Sequence, residues 1–135
     1  MKRHESRIKE LLKVAAKVEK VGAGKLAASI WVRGLCVSVG MNSLKSHPVQ
    51  KRFSTNPHRI FLHAETDALV KASKLVEDFS DAYMYIVRVK KGQDGRLVPA
   101  LAKPCDGCMG LIYHYSPKGV FWTTDSGVIA YQGVR

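Results

Sequence analysis

The sequence predicts one three-layer α/β domain, and three observations carry that prediction. The chain is short: 135 residues fit a single hydrophobic core and leave no room for a second domain. Apolar residues make up 46% of it, enough to close a core without disulfides. Segments with helical periodicity also alternate with short strand-like runs, an order that lays helices over both faces of one central sheet.

Each element has its own signal. Over residues 3–21, Ile8, Leu11, Leu12, Ala15 and Val18 recur at helical spacing and define a buried stripe. Lys9, Lys13 and Lys17 form a basic stripe on another face, and Gly22 and Gly24 supply the stop. Two apolar runs follow, 26–32 and 35–41, split by Arg33-Gly34 as a hairpin turn. The polar stretch 42–59, with Pro48 and Pro57, reads as a long ordered loop of the kind that often carries function. A second helix is expected over 64–79, marked by Ala68, Leu69, Ala72, Leu75, Val76 and Phe79. Residues 82–89 form a strand rich in Tyr, Ile and Val, closed by Lys90-Lys91-Gly92-Gln93-Asp94-Gly95 within an insertion at 90–99. A third, shorter helix begins around Cys105 and runs towards Tyr113. Strands over 120–123 and 128–132 close the chain as an antiparallel hairpin through Asp125-Ser126-Gly127.

Charge narrows the class of partner. Lys and Arg total 22 against 11 acidic residues, a net charge of +11. Such an excess concentrates anions and favours phosphate-bearing partners, without separating a free nucleotide from a nucleic acid strand. A solvated basic surface is the plainer alternative. No run of about 18 apolar residues occurs, so no membrane helix is expected. The opening MKRHESRIKELLK has no apolar stretch behind its basic residues and does not read as a secretory signal. Three cysteines, two of them close together, suit a reducing, cytoplasmic setting and a metal site better than a disulfide framework.

Two short motifs carry the chemistry. The first is His63-Ala64-Glu65, where the apolar Ile60-Phe61-Leu62 gives way to a helix. The second is Pro104-Cys105-Asp106-Gly107-Cys108, at another helix start. H-x-E followed by P-C-x-x-C is the pattern of zinc-dependent deaminases. Catalytic zinc takes three protein ligands and keeps a fourth position for water. Cys105 and Cys108, three apart, put both sulfurs on one helix face. The positive end of the helix dipole favours both as thiolates. Pro104 suits a position near the first turn, where a missing N–H costs little. His63 would be the third ligand, and Glu65 the proton shuttle beside the open position.

Plainer readings exist for each motif alone. A lone C-x-x-C can be a redox pair or half of a structural zinc site, although a structural site wants a fourth Cys or His. A lone H-x-E can be a capped helix start. Cys36, inside a strand, reads as a small core residue, and His47, His58 and His114 lack ligand spacing to the cysteine pair.

On these motifs and this element order, the stretch from about 26 to 132 resembles the cytidine deaminase superfamily. The resemblance implies a five-stranded mixed sheet flanked by helices, a bound Zn2+, and hydrolytic removal of an exocyclic amino group. Val39-Gly40-Met41-Asn42 is similar to a Gly-aromatic-Asn segment of deoxycytidylate-type members, which implies that Asn42 contacts the sugar. Ala64, Lys45 and Pro104 are the further substrate contacts it implies. The family commonly forms dimers to hexamers, so a homo-oligomer is expected.

The subfamily signals diverge. Ala102-Lys103 stands where polynucleotide cytidine deaminases carry Trp-Ser, and Met109-Gly110 where free-nucleoside enzymes carry Arg-Gln. The closing hairpin is similar to free-nucleoside enzymes, not to deoxycytidylate deaminases. The first functional reading is deamination of a free cytosine nucleotide or nucleoside, dCMP to dUMP or cytidine to uridine. Lys45, Lys51 and Arg52 would then meet a 5′-phosphate. The alternative is editing of single-stranded DNA or RNA at cytosine or adenine. The Lys9/Lys13/Lys17 stripe would be its track, and Phe61, Tyr113, Trp31 and Trp122 its stacking aromatics. A third reading, a zinc-stapled binding module, leaves Glu65 without a use.

Overall fold

Strand β1, Lys25–Val32, turns directly into β2, Leu35–Met41. In the computed structural model, which describes residues 2–17, 25–42 and 63–135, Arg33 (φ 50°) and Gly34 (φ 82°) make this turn. Two consecutive left-handed residues give the turn whose twist matches that of the strands it joins. The expected turn is therefore present. The expectations at Val18, Gly22, Gly24, Lys45, His47, Lys51, Arg52, His58 and Phe61 lie outside the described residues.

Strand β3, Ala82–Lys91, occupies the middle of the sheet. It pairs antiparallel with β1 on one side and parallel with β5, Gly119–Trp122, on the other. Strand β6, Ala130–Gly133, closes the edge antiparallel to β5, so the order is β2-β1-β3-β5-β6. These are the five expected strands, including the C-terminal hairpin. The parallel step arises because helix α3, Asp106–Tyr115, carries the chain back across the sheet between β3 and β5.

Alternation along β3 sorts the core into two halves. Ala82, Met84 and Ile86 point towards helix α2, Ala64–Ser73, and towards α3. Tyr85, Val87 and Val89 point to the other face, where helix α1, Lys2–Ala15, lays down Ile8, Leu11 and Ala15. The three layers are thus α1, the sheet, and α2 with α3.

The structure departs from sequence expectation in three places. Helix α2 ends at Ser73, not Phe79: Leu75 is 73% exposed, while Phe79 reaches the core from irregular chain. The insertion at 90–99 contains a sixth strand, β4, Leu97–Ala100, antiparallel to the end of β3. Its Pro99 is tolerated because β4 pairs on one side only. Cys36 is exposed, not core, beside a register shift at Ile30/Trp31 that rotates the start of β2.

Candidate metal centre

Both motifs fall at the first residues of helices on the same face of the sheet. His63 is the N-cap of α2 and Cys105 the N-cap of α3, each in extended conformation with its carbonyl accepting the first helical bond. Pro104 is buried and stands one residue before the cap, next to the first turn. Packing of α2 and α3 against the same core brings the caps together.

His63 Nδ1 lies 3.2 Å from Cys108 Sγ and 3.7 Å from Cys105 Sγ. All three ligand atoms lie within 4.8 Å of one another, the one such grouping among the described residues. Zinc–ligand bonds of about 2.0–2.3 Å put tetrahedral ligand atoms about 3.3–3.8 Å apart, so the cluster fits the ion. The donor chemistry agrees. A hydrogen bond from Cys108, then one from His63, pulls the Cys105 thiol down to about 3, against the opposing effect of burial, so it stands as a thiolate. No disulfide consumes either sulfur.

Glu65, in the first turn of α2, is 4% exposed, and its Oε1 has no hydrogen-bond partner among the described residues. Burial pushes its carboxyl above the ordinary carboxylate range, opposed by its own backbone N–H, the His63 charge and the Cys108 thiol. A buried carboxyl oxygen unmatched among the described residues, beside three potential metal-ligating atoms, is available to a group that enters from outside.

The remaining expected site residues are placed as follows. Asn42 follows β2 on this same face, buried, with Oδ1 accepting the Leu26 N–H at 3.1 Å. Ala64 is fully buried in the core. The α1 lysine stripe, by contrast, lies on the layer across the sheet, where Lys13 pairs with Glu10. Trp122 is core, and Trp31 packs under Arg7 on the α1 side.

A clamp that the sequence reading missed fixes the cluster against β2. Asp67 Oδ2 accepts the Met41 N–H at 3.0 Å and Lys71 Nζ at 2.9 Å, and Lys71 Nζ also donates to Val39 O. Gly40 permits the approach: a Cβ there would sit 2.3 Å from Ala64 O and 2.4 Å from Ala68 N. An acid followed four residues later by a base on a predicted helix was the available signal.

The fold recurs in solved structures. The dCMP deaminase of cyanophage S-TIM5 matches in apo form with a TM-score of 0.63 at 22% identity, over 94% of this chain and 87% of that one. The same enzyme in complex with dCMP and dUMP matches with a TM-score of 0.63 at 21% identity, over 91% and 82%. Guanine deaminase from Bacillus subtilis gives a TM-score of 0.58 at 26% identity, over 90% and 64%. A search of curated proteins gives no match. The family model described as the cytidine and deoxycytidylate deaminase zinc-binding region matches residues 1–124, which include both helix caps of the cluster. With nearly its whole length so matched, this chain belongs to the cytidine and deoxycytidylate deaminase family of zinc-dependent hydrolases.

Proposed function

We propose that the protein deaminates a free cytosine nucleotide or nucleoside, taking dCMP to dUMP or cytidine to uridine. The observation that carries this reading is the convergence of His63, Cys105 and Cys108 with a buried Glu65 oxygen beside them that has no partner among the described residues. His63, Cys105 and Cys108 would hold the zinc, which supplies, when bound, the Lewis acidity that makes water nucleophilic at neutral pH. Glu65 takes a proton from the water that attacks C4 of the base. It passes that proton to the ring nitrogen, then carries the second proton from the new C4 hydroxyl to the amino group, which leaves as ammonia as the C4 carbonyl forms. Burial in the α2 layer keeps this carboxyl away from bulk water and from competing acceptors.

Asn42 is assigned to the sugar, with its side chain held by Leu26 at the end of β2. Ala64 and Pro104, beside the ligands, are assigned to the base, and Lys45 to the substrate's charged end. The editing alternative draws its support from the net charge of +11. Against it, the expected α1 track lies across the sheet from the metal cluster. A homo-oligomer remains part of the proposal by family analogy. No helix of the described residues is long and apolar enough to cross a membrane.

The test is ammonia release by zinc-loaded protein from dCMP, cytidine, guanine, single-stranded DNA and RNA. We expect release from a cytosine mononucleotide or nucleoside, abolished in Glu65→Ala. Release from guanine or from a strand alone would replace this reading, and equal inactivity of both proteins on all five would remove it.

A further inference from the structure

Two buried side-chain polar atoms lack a partner among the described residues: Glu65 Oε1 and Arg88 Nε. Both lie on the metal-cluster face. Arg88 continues the alternation of Met84 and Ile86 along β3, the set that packs under α2 and α3. Its neighbour across β1 is Leu26, the residue whose N–H Asn42 accepts and whose carbonyl takes the Asn42 N–H. Its other neighbour is Ala100 on β4, and its guanidinium reaches Leu101 O at 3.4 Å, four residues before Cys105. Arg88 therefore stands at the rim of the sheet between the Asn42 end of β2 and the approach to the second ligand motif.

No carboxylate among the described residues forms an ion pair with it. Asp125, an acid that feels its charge, is held by Lys90 Nζ at 3.3 Å and by the Leu101 N–H at 3.1 Å. A guanidinium is always charged and presents its donors in a planar fork matched to a phosphate. Leaving one of those donors buried and unmatched costs free energy that an incoming acceptor would recover.

We propose that Arg88 binds the 5′-phosphate of the substrate and makes the site selective for a nucleoside monophosphate over the nucleoside. This inference rests on the deaminase reading given above and selects between the substrates that reading leaves open. The oxygen acceptors of the phosphate complete the Arg88 fork, while Asn42, on the far side of β1, holds the sugar.

The experiment compares Arg88→Met, which keeps the packed stem, and Arg88→Lys, which keeps the charge without the fork. Calorimetric binding of dUMP and of deoxyuridine to the zinc-loaded proteins is read beside kcat/KM for dCMP and deoxycytidine. A charged hydrogen bond of this kind is expected to change dUMP affinity by about 10- to 100-fold. Arg88→Met should lose that factor for dUMP and dCMP and leave deoxyuridine and deoxycytidine unchanged. Arg88→Lys should recover part of it. Equal loss on both members of each pair in a protein that retains its zinc and its circular dichroism would overturn the assignment, as would no loss at all. So would a loss confined to an oligodeoxynucleotide. Should Arg88→Met fail to fold, the Arg88→Lys comparison decides by the same criterion. Wild-type protein that binds dUMP more weakly than deoxyuridine overturns the Arg88 assignment alone. Wild-type protein that neither binds these ligands nor releases ammonia from any cytosine compound overturns the deaminase reading beneath it.

Discussion

The two faces of β3 are built from alternate residues of one strand, yet they treat buried polar groups in opposite ways. On the α1 face, Tyr85 Oη is shared by His4 Nδ1 at 2.5 Å and Arg7 at 2.8 Å. His4 stacks on Phe121 with ring centroids 4.3 Å apart, and Arg7 lies 4.3 Å over the Trp31 ring. On the α2–α3 face, Glu65 and Arg88 each keep a buried atom without a partner among the described residues. An unmatched buried donor or acceptor costs about 1–3 kcal/mol, so one face is saturated for stability while the other carries the two groups proposed above to meet substrate. Substitutions should divide accordingly: kinetics and metal on one side, stability on the other.

The largest effect should come from a ligand. Cys108→Ala is expected to reduce zinc from one per chain to nearly none, and turnover with it, measured by metal analysis beside ammonia release. Glu65→Gln should retain its zinc and lose about 10²–10⁴ in kcat, because it removes the proposed proton shuttle while the ligands remain. If zinc leaves as well, the division between binding the metal and using it fails on this face.

Gly40→Ala tests the clamp that holds the two motifs' face together. Its new methyl would meet backbone atoms of α2 at 2.3–2.4 Å. Overpacking of this kind costs about 1–3 kcal/mol, and the displaced helix carries His63 and Glu65, so Tm and kcat/KM should fall together. Tyr85→Phe should move stability alone. It strips the shared hydroxyl from His4 and Arg7, for a loss of about 1–3 kcal/mol in denaturant unfolding with kcat/KM unchanged. A matching loss of kcat/KM in Tyr85→Phe would show that the faces are coupled through β3.

Much of the metal-cluster face was legible because its chemistry is written locally. His63-Ala64-Glu65 and Pro104-Cys105-Asp106-Gly107-Cys108 each need only one helix start to be right, and both helix starts are. Elements whose definition is non-local were misread. Apolar periodicity reports burial rather than helix, so Val76 and Phe79, packed on the core from irregular chain, extended α2 on paper beyond Ser73. Strand β4 is four residues long, contains Pro99, and exists only through pairing with the end of β3. Arg88 carried a signal that went unused. It is a charge on the apolar face of an otherwise alternating strand, and such a charge asks what it is for.

The smallest predicted effect sharpens the saturated face. Burial, with the nearby Arg3 and Arg7 charges, holds His4 below the usual histidine range. Among the described residues, Arg3 and Arg7 from α1, Tyr83 and Tyr85 from β3 and Phe121 from β5 lie against the ring, and none of these is a carboxylate. The unfolded chain therefore takes up this proton first as pH falls. Stability contributed by neutral His4 is complete above about pH 6.5 and declines below it towards the lowered folded value, because ∂ΔG/∂pH is positive wherever the unfolded state holds more protons. Glu65 and the metal ligands are common to wild type and to His4→Gln. The difference between the two unfolding free energies, followed from pH 7.5 to 5.5 in urea, therefore isolates the histidine. Wild type should lose its margin over His4→Gln as the solution is acidified. A margin that stays constant or grows would mean that the α1 face accommodates the imidazolium on its aromatic rings, and that its saturation does not depend on a neutral His4.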